Sequence, residues 1–340
     1  MGIEFSSSER DSLLNTVSRR LDQYRTLREI DIPNNISFPL FYDPLPVGMN
    51  IPTGKDIFEF REIKTRRPKN LEKCAFMTIP QLAYLIRTKQ VSSEELTRMY
   101  LDRLKRYQND LQCTVTLTES LAIEQARKAD IEIEKGIYRG SLHGIPWGAK
   151  DLLSVPDYKT TWGAVPYKDQ IIDEKGTVVK KLEQAGAVLV AKLTLGALAW
   201  GDVWFGGKTK NPWNLDQGSS GSSAGPGSAT SAGLVGFSIG SETWGSIVSP
   251  ATRNGVTGHR PSFGTVSRSG AMALSWTMDK LGPMTRSVEG AAIVFETIRG
   301  ADNIDRTVKD IQFKYPKMED LKKLRIGYVA SAFDDSVVSE

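Results

Sequence analysis

Apolar side chains fall at helical spacing over residues 9–28, where Leu13, Leu14, Val17, Leu21, Tyr24 and Leu27 line one stripe. Ser6 with Glu9 supplies a capping box at the start of that helix. The rhythm then stops. Residues 31–56 carry Pro33, Pro39, Pro44, Pro46 and Pro52, and each ring removes a backbone donor, so this stretch reads as an extended arm. Residues 1–75 are therefore expected to form a helical, proline-rich appendage, and residues 76–340 the main domain.

From Met77 the pattern changes to helices alternating with short apolar strands. Thr78-Ile79-Pro80-Gln81 and Ser92-Ser93-Glu94-Glu95 are capping signatures that open a helix pair over roughly 79–107. Residues 114–118 read as a strand, 119–134 and 175–185 as helices, 187–191 as a buried strand and 324–329 as another short strand. The segment 229–240 mixes small and apolar residues. This alternation predicts an α/β fold, a mixed β-sheet core sandwiched between helices.

The remaining composition narrows the chemistry. The 44 basic and 40 acidic residues are interleaved, without the concentrated basic face of a nucleic-acid binder. No apolar run approaches about 18 residues, so no membrane span is expected. Cys74 and Cys113 stand alone, outside any CxxC pattern, which suits a reducing compartment and makes no disulfide framework or Cys-rich zinc site. The start carries no basic-then-apolar leader, so the expected location is cytoplasmic; an exported parent whose leader has been removed would read the same.

The chain has only two histidines, His143 and His259, each isolated, which makes a poor metal site and a poor source of a catalytic base. Lysine can replace histidine as a base when burial keeps it neutral. Lys150 follows Ile145, Pro146, Trp147, Gly148 and Ala149, an unusually apolar approach. Two serine-bearing segments follow it: Gly221-Ser222-Ser223-Ala224-Gly225, inside the Gly/Ser-rich stretch 218–233, and Gly240-Ser241-Glu242-Thr243-Trp244-Gly245-Ser246. Small residues in such a loop let backbone amides approach a substrate closely. Ser222 lies 72 residues after Lys150, and Ser246 a further 24.

This set resembles the amidase signature family. Its lysine lies in a Gly-Ile-Pro-x-x-x-Lys-Asp segment, matched by residues 144–151. Its bridging serine, on a cis peptide, lies in a Gly/Ser loop after Asn-Pro-Trp, matched by Asn211-Pro212-Trp213 and Ser222. Its nucleophile ends a Gly-Ser-Asp-Thr-Gly-Gly-Ser segment, matched at Ser246. The resemblance runs from about Met77 to Asp302. It implies the amidase signature fold and hydrolysis of a carboxamide by a Ser246, Ser222 and Lys150 triad through an acyl-enzyme. It further implies an oxyanion hole from the backbone amides of Thr243, Trp244, Gly245 and Ser246, substrate contacts at Ser223 and Trp244, and no metal or cofactor. The implied partner is a small-molecule amide, without nucleic acid or membrane; self-association into a homo-oligomer stays open.

Three positions depart from the family pattern. Trp244 replaces a glycine, Glu242 an aspartate, and Val248 the arginine that commonly follows the nucleophile. Family cores also continue past the point where this sequence stops, so residues 76–340 are expected to be an incomplete core. Two alternatives accompany the amidase reading. One is the A subunit of the glutamine-dependent tRNA amidotransferase; the other is an inactive homologue that acts as a binding protein. Gly221 to Gly225 also spells Gly-x-Ser-x-Gly with Ser223 at its centre, the elbow of α/β-hydrolases. That motif requires a preceding strand and a late histidine, and the turn-like 211–220 and His259 do not supply them. A Ser-x-x-Lys arrangement is absent from the sequence.

Overall fold

The computed structural model describes residues 5–30, 48–50, 54–58, 60, 62–315 and 325–330. The chain divides into two compact units, residues 1–42 and 43–340. In the first, helix α1 spans Ser7–Arg28, with Ser6 and Glu9 forming the predicted reciprocal cap. The prolines of the arm lie outside the described residues.

The second unit is built on one six-stranded sheet. Its strands are β1 (Thr114–Leu117), β2 (Pro146–Lys150), β3 (Val188–Leu193), β4 (Phe237–Glu242), β5 (Thr257–Gly258) and β6 (Lys280–Thr285), in the order β5-β6-β4-β2-β3-β1. The centre is parallel, β4 with β2 and β2 with β3, and the outer pairings are antiparallel. The mixed α/β sandwich read from the sequence is the observed architecture. Every residue of β2 and of β3 is buried, as expected for parallel strands covered on both faces.

Helices α2 (Ile79–Arg87), α3 (Ser93–Leu111), α4 (Glu119–Glu134), α5 (Thr177–Gln184), α6 (Ala224–Ser231), α7 (Val248–Asn254) and α8 (Val288–Ile298) pack around the sheet. The capping boxes of α2 and α3 form as read. One apolar cluster gathers Leu82 and Leu85 of α2, Val178 and Leu182 of α5 and Val294 of α8 against Trp147, Phe237 and Ile239. The rings of Trp147 and Phe237, cross-strand partners on β2 and β4, stack with centroids 6.0 Å apart. A second cluster gathers Leu101, Leu104, Ala122, Ala126 and Ala229 against Val188 and Val190. Residues 71–76 form a short 3-10 helix that buries Cys74 and Ala75.

Two segments differ from the expectation. Residues 325–329 carry no strand. Within the Gly/Ser-rich stretch, Ala224–Ser231 is helical although its sequence, Ala-Gly-Pro-Gly-Ser-Ala-Thr-Ser, has poor intrinsic propensity. Burial explains it: α6 sits so close to its neighbours that a Cβ on Gly225 would lie 2.4 Å from the Thr194 nitrogen. Small residues are what that helix must be made of.

Candidate active site

Lys150 is the last residue of β2, and Ser241 and Glu242 end the parallel neighbour β4. The Gly/Ser loop 219–223 leads into α6 over the same strand ends. The site therefore lies at the carboxyl edge of the parallel strands, where open α/β sheets place their ligands.

Four oxygens surround the buried Lys150 Nζ. Ser222 Oγ lies at 2.8 Å, Ser241 Oγ at 2.9 Å, Ser223 Oγ at 3.0 Å and the Ser241 carbonyl at 3.4 Å. All three hydroxyls are neutral, so burial dominates and pulls the lysine from its ordinary 10.5 down to about 7; Asp279 and Glu242 oppose that fall through their negative charge. A lysine near 7 is half neutral at neutral pH, which suits proton exchange.

The serine loop holds its shape through close backbone approaches. The Gly221–Ser222 peptide is cis, and a Cβ on Gly221 would fall 1.8 Å from the Gly201 carbonyl oxygen, so no other residue fits there. Ser223 is buried. Its hydroxyl donates to the Ser241 carbonyl at 3.0 Å and accepts the Ser241 N–H at 3.1 Å. Its bonds thus face the lysine and β4.

The segment after β4 wraps around a carboxylate. Glu242 is buried and accepts the N–H groups of Ile247 at 2.8 Å and Val248 at 3.0 Å, with Arg260 at 3.1 Å. Burial raises its pKa, but these donors and the Gly245 N–H outweigh that and hold it low. The departure from aspartate to glutamate thus keeps an acceptor for the turn. Thr243 bonds Asp279 through its hydroxyl, and Lys280 Nζ donates to the Thr243 carbonyl at 3.1 Å.

Ser246 sits half-buried at the end of this turn, and its carbonyl accepts the Ser223 N–H at 3.1 Å. Lys150, Ser222 and Ser223 are brought together; the Ser246 hydroxyl has no hydrogen-bond partner among the described residues. The Trp244 and Ser246 amides likewise carry no acceptor there, whereas the Gly245 N–H faces Glu242. The Trp244 indole is 84% exposed, pointing out of the turn.

Neither Ser241 nor Asp279 stands out in the sequence. Ser241 is visible there only as part of the matched segment, and Asp279 reaches the site through the β6–β4 register, in which Lys280 faces Glu242. A cavity of about 360 Å³ opens beside them, lined by Ser241, Met272, Trp276, Asp279, Leu281 and Arg306 among others. On β3, Lys192 is also buried and pairs with Asp151 at 2.8 Å; Asp151 also accepts the Thr161 N–H.

The histidines sit elsewhere. His143 is buried, with Nδ1 accepting the Arg139 N–H at 3.2 Å and Nε2 3.1 Å from Glu132; His259 packs edge-on to Phe295. Burial lowers the pKa of both. Among the described residues, no three His, Cys, Asp or Glu side chains gather as metal ligands. No helix of the described residues is long and apolar enough to cross a membrane.

Comparison with known proteins gives a consistent picture. The profile of the family described as Amidase matches residues 95–340. The A subunit of the glutamyl-tRNA(Gln) amidotransferase of Moorella thermoacetica is 36% identical over 258 residues, covering 74% of this chain and 53% of the relative. Among solved structures, the peptide amidase of Stenotrophomonas maltophilia superposes with a TM-score of 0.66 at 33% identity, covering 69% of this chain and 50% of that one. A fatty acid amide hydrolase gives a TM-score of 0.68 at 25% identity, with coverages of 74% and 46%. The chain spans about half the length of the curated relatives it matches.

Proposed function

The chain belongs to the amidase signature family, and from that premise we propose that it hydrolyses a carboxamide to a carboxylate and ammonia or an amine, using Lys150, Ser222 and Ser246. The chemistry lies within residues 76–340, the core expected from the sequence. One observation carries the reading: a buried lysine brought to about 7 sits 2.8 Å from the Ser222 hydroxyl at the carboxyl edge of the sheet.

The steps follow from that pair. Neutral Lys150 accepts the Ser222 proton as Ser222 accepts the proton of Ser246, whose Oγ attacks the amide carbonyl. Substrate binding draws the Ser246 hydroxyl within reach of Ser222, as catalytic hydrogen bonds commonly tighten only in the complex. The developing oxyanion takes the unengaged amides of Trp244 and Ser246, each such donor being worth about 2.7–4 kcal/mol in the transition state. Lys150 returns its proton through Ser222 to the departing nitrogen, the C–N bond breaks, and an ester remains on Ser246. Water, deprotonated by the same relay, then releases the carboxylate.

The relatives named as A subunits of glutamyl-tRNA(Gln) amidotransferase support a second reading, in which the amide is glutamine and the ammonia passes to a partner. A panel of aliphatic, aromatic and peptide amides alongside glutamine separates the two, with ammonia release and the mass of the trapped acyl-enzyme as readouts. Turnover of simple amides by the isolated chain supports the stand-alone amidase. Turnover of glutamine alone supports the second reading. A folded protein that turns over neither, and forms no adduct, refutes both.

A further inference from the structure

We infer that Ser223 is a positioning residue that aims the lone pair of Lys150 away from itself, so that only the Ser222 and Ser241 hydroxyls can donate to the lysine. The inference rests on the proposed Lys150–Ser222–Ser246 chemistry and concerns how its first proton transfer is given a direction.

The argument is a count of hydrogens. A hydroxyl has one hydrogen to donate and two lone pairs; a neutral amine has two hydrogens and one lone pair. The Ser223 hydrogen is already committed, since its Oγ donates to the Ser241 carbonyl at 3.0 Å. One of its lone pairs takes the Ser241 N–H at 3.1 Å. What remains at the 3.0 Å contact with Lys150 is a single lone pair. Ser223 therefore only accepts from the lysine.

The other two hydroxyls are not committed. Among the described residues, Ser222 Oγ and Ser241 Oγ have no hydrogen-bond partner besides Lys150 Nζ. A neutral Lys150 gives one hydrogen to Ser223 and a second to one of these or to the Ser241 carbonyl at 3.4 Å, and its lone pair then receives the hydrogen of the other hydroxyl. When that other is Ser222, the Ser222 lone pairs are free to take the Ser246 proton, which is the productive arrangement. Without Ser223 the lone pair has more orientations and fewer of them serve the relay.

The same bond has a second consequence. Protonated Lys150 has three hydrogens, and the three hydroxyls can accept them all. Taking away Ser223 strips the buried ammonium of an acceptor at 3.0 Å and leaves in its place only the Ser241 carbonyl at 3.4 Å, while the neutral amine loses less, so the lysine becomes more acidic. The charged groups acting on Lys150 are Glu242 at the end of β4 and Asp279 before β6, both of which favour its protonated form. Neither accepts a bond from Ser223, so their influence stays in place when its hydroxyl is removed.

The test is the pH dependence of kcat and kcat/KM for an amide that the wild type hydrolyses, compared with Ser223→Ala and Ser223→Cys. Cooperative thermal unfolding of each variant establishes that the fold is retained. Both variants are expected to lower plateau kcat by about tenfold to a hundredfold. Both are also expected to move the acidic limb to lower pH, by about one unit in the alanine variant and less in the cysteine one, whose sulfur is a weak acceptor. A folded variant whose limb stays at the wild-type pH, whatever its kcat, overturns the inference: loop disturbance alone would slow turnover without moving the limb. A wild type whose acidic limb is unaltered by Lys150→Arg, or that has no amide turnover, instead removes the underlying reading.

Discussion

Replacing Lys150 by methionine should remove a pH dependence of stability that the buried amine imposes. The unfolded chain holds a proton on this lysine up to about 10.5, and the folded chain only up to about 7. Between those values the unfolded state binds more protons, so stability rises with pH. Below pH 7 the full cost of burying the ammonium is present; above 10.5 it is gone. At 1.36 kcal/mol per pH unit that cost reaches about 5 kcal/mol, and roughly 2 kcal/mol of it is relieved between pH 7 and pH 9. Methionine fills a similar volume and does not titrate. The assay is urea unfolding of both proteins at pH 7, 8 and 9, taking the difference in free energy at each pH so that Lys192, Lys280 and other titrating groups cancel. The wild type should gain about 2 kcal/mol on Lys150→Met across that range. Parallel curves, with a difference constant to within about 0.5 kcal/mol, would refute a lysine near neutrality in the folded state.

Ser222→Ala should lower kcat by about 10²- to 10⁴-fold with the fold retained, the range expected when a positioned proton carrier is lost; steady-state kinetics check it. Lys192→Met removes the cation that pairs with buried Asp151, which should cost about 3–5 kcal/mol in chemical denaturation. Adding Asp151→Asn to it should recover a good part of that loss. Gly240→Ala places a Cβ 2.7 Å from Ser223 Oγ, so it should displace that hydroxyl from Lys150 and depress turnover more than it lowers the melting temperature.

Much of the fold was legible because its signals are local. The capping boxes at Thr78 and Ser92 and the buried run from Val188 to Leu193 each state their structure within a few residues. α6 was not legible, since glycine, proline and serine there serve close packing and oppose helix propensity. β6 was hidden too: Gly282 and Pro283 sit inside it, residues that ordinarily argue against a strand. In the site, Lys150, Ser222 and Ser246 stood out because each belongs to a distinctive segment. Asp279 and the hydroxyl of Ser241 did not, because strand register brings them to the lysine across distances no local pattern encodes. The outward turn of the Trp244 indole was equally invisible, since its direction depends on how Glu242 gathers the following amides.

The most direct test of the account is intact-mass and peptide mapping after treatment with a fluorophosphonate, on the wild type and on Lys150→Ala. The account predicts one covalent adduct on Ser246 that collapses in the lysine variant, because the serine is activated only through the buried amine. An adduct on Ser223, an adduct indifferent to Lys150, or none on a cooperatively folded chain would contradict it.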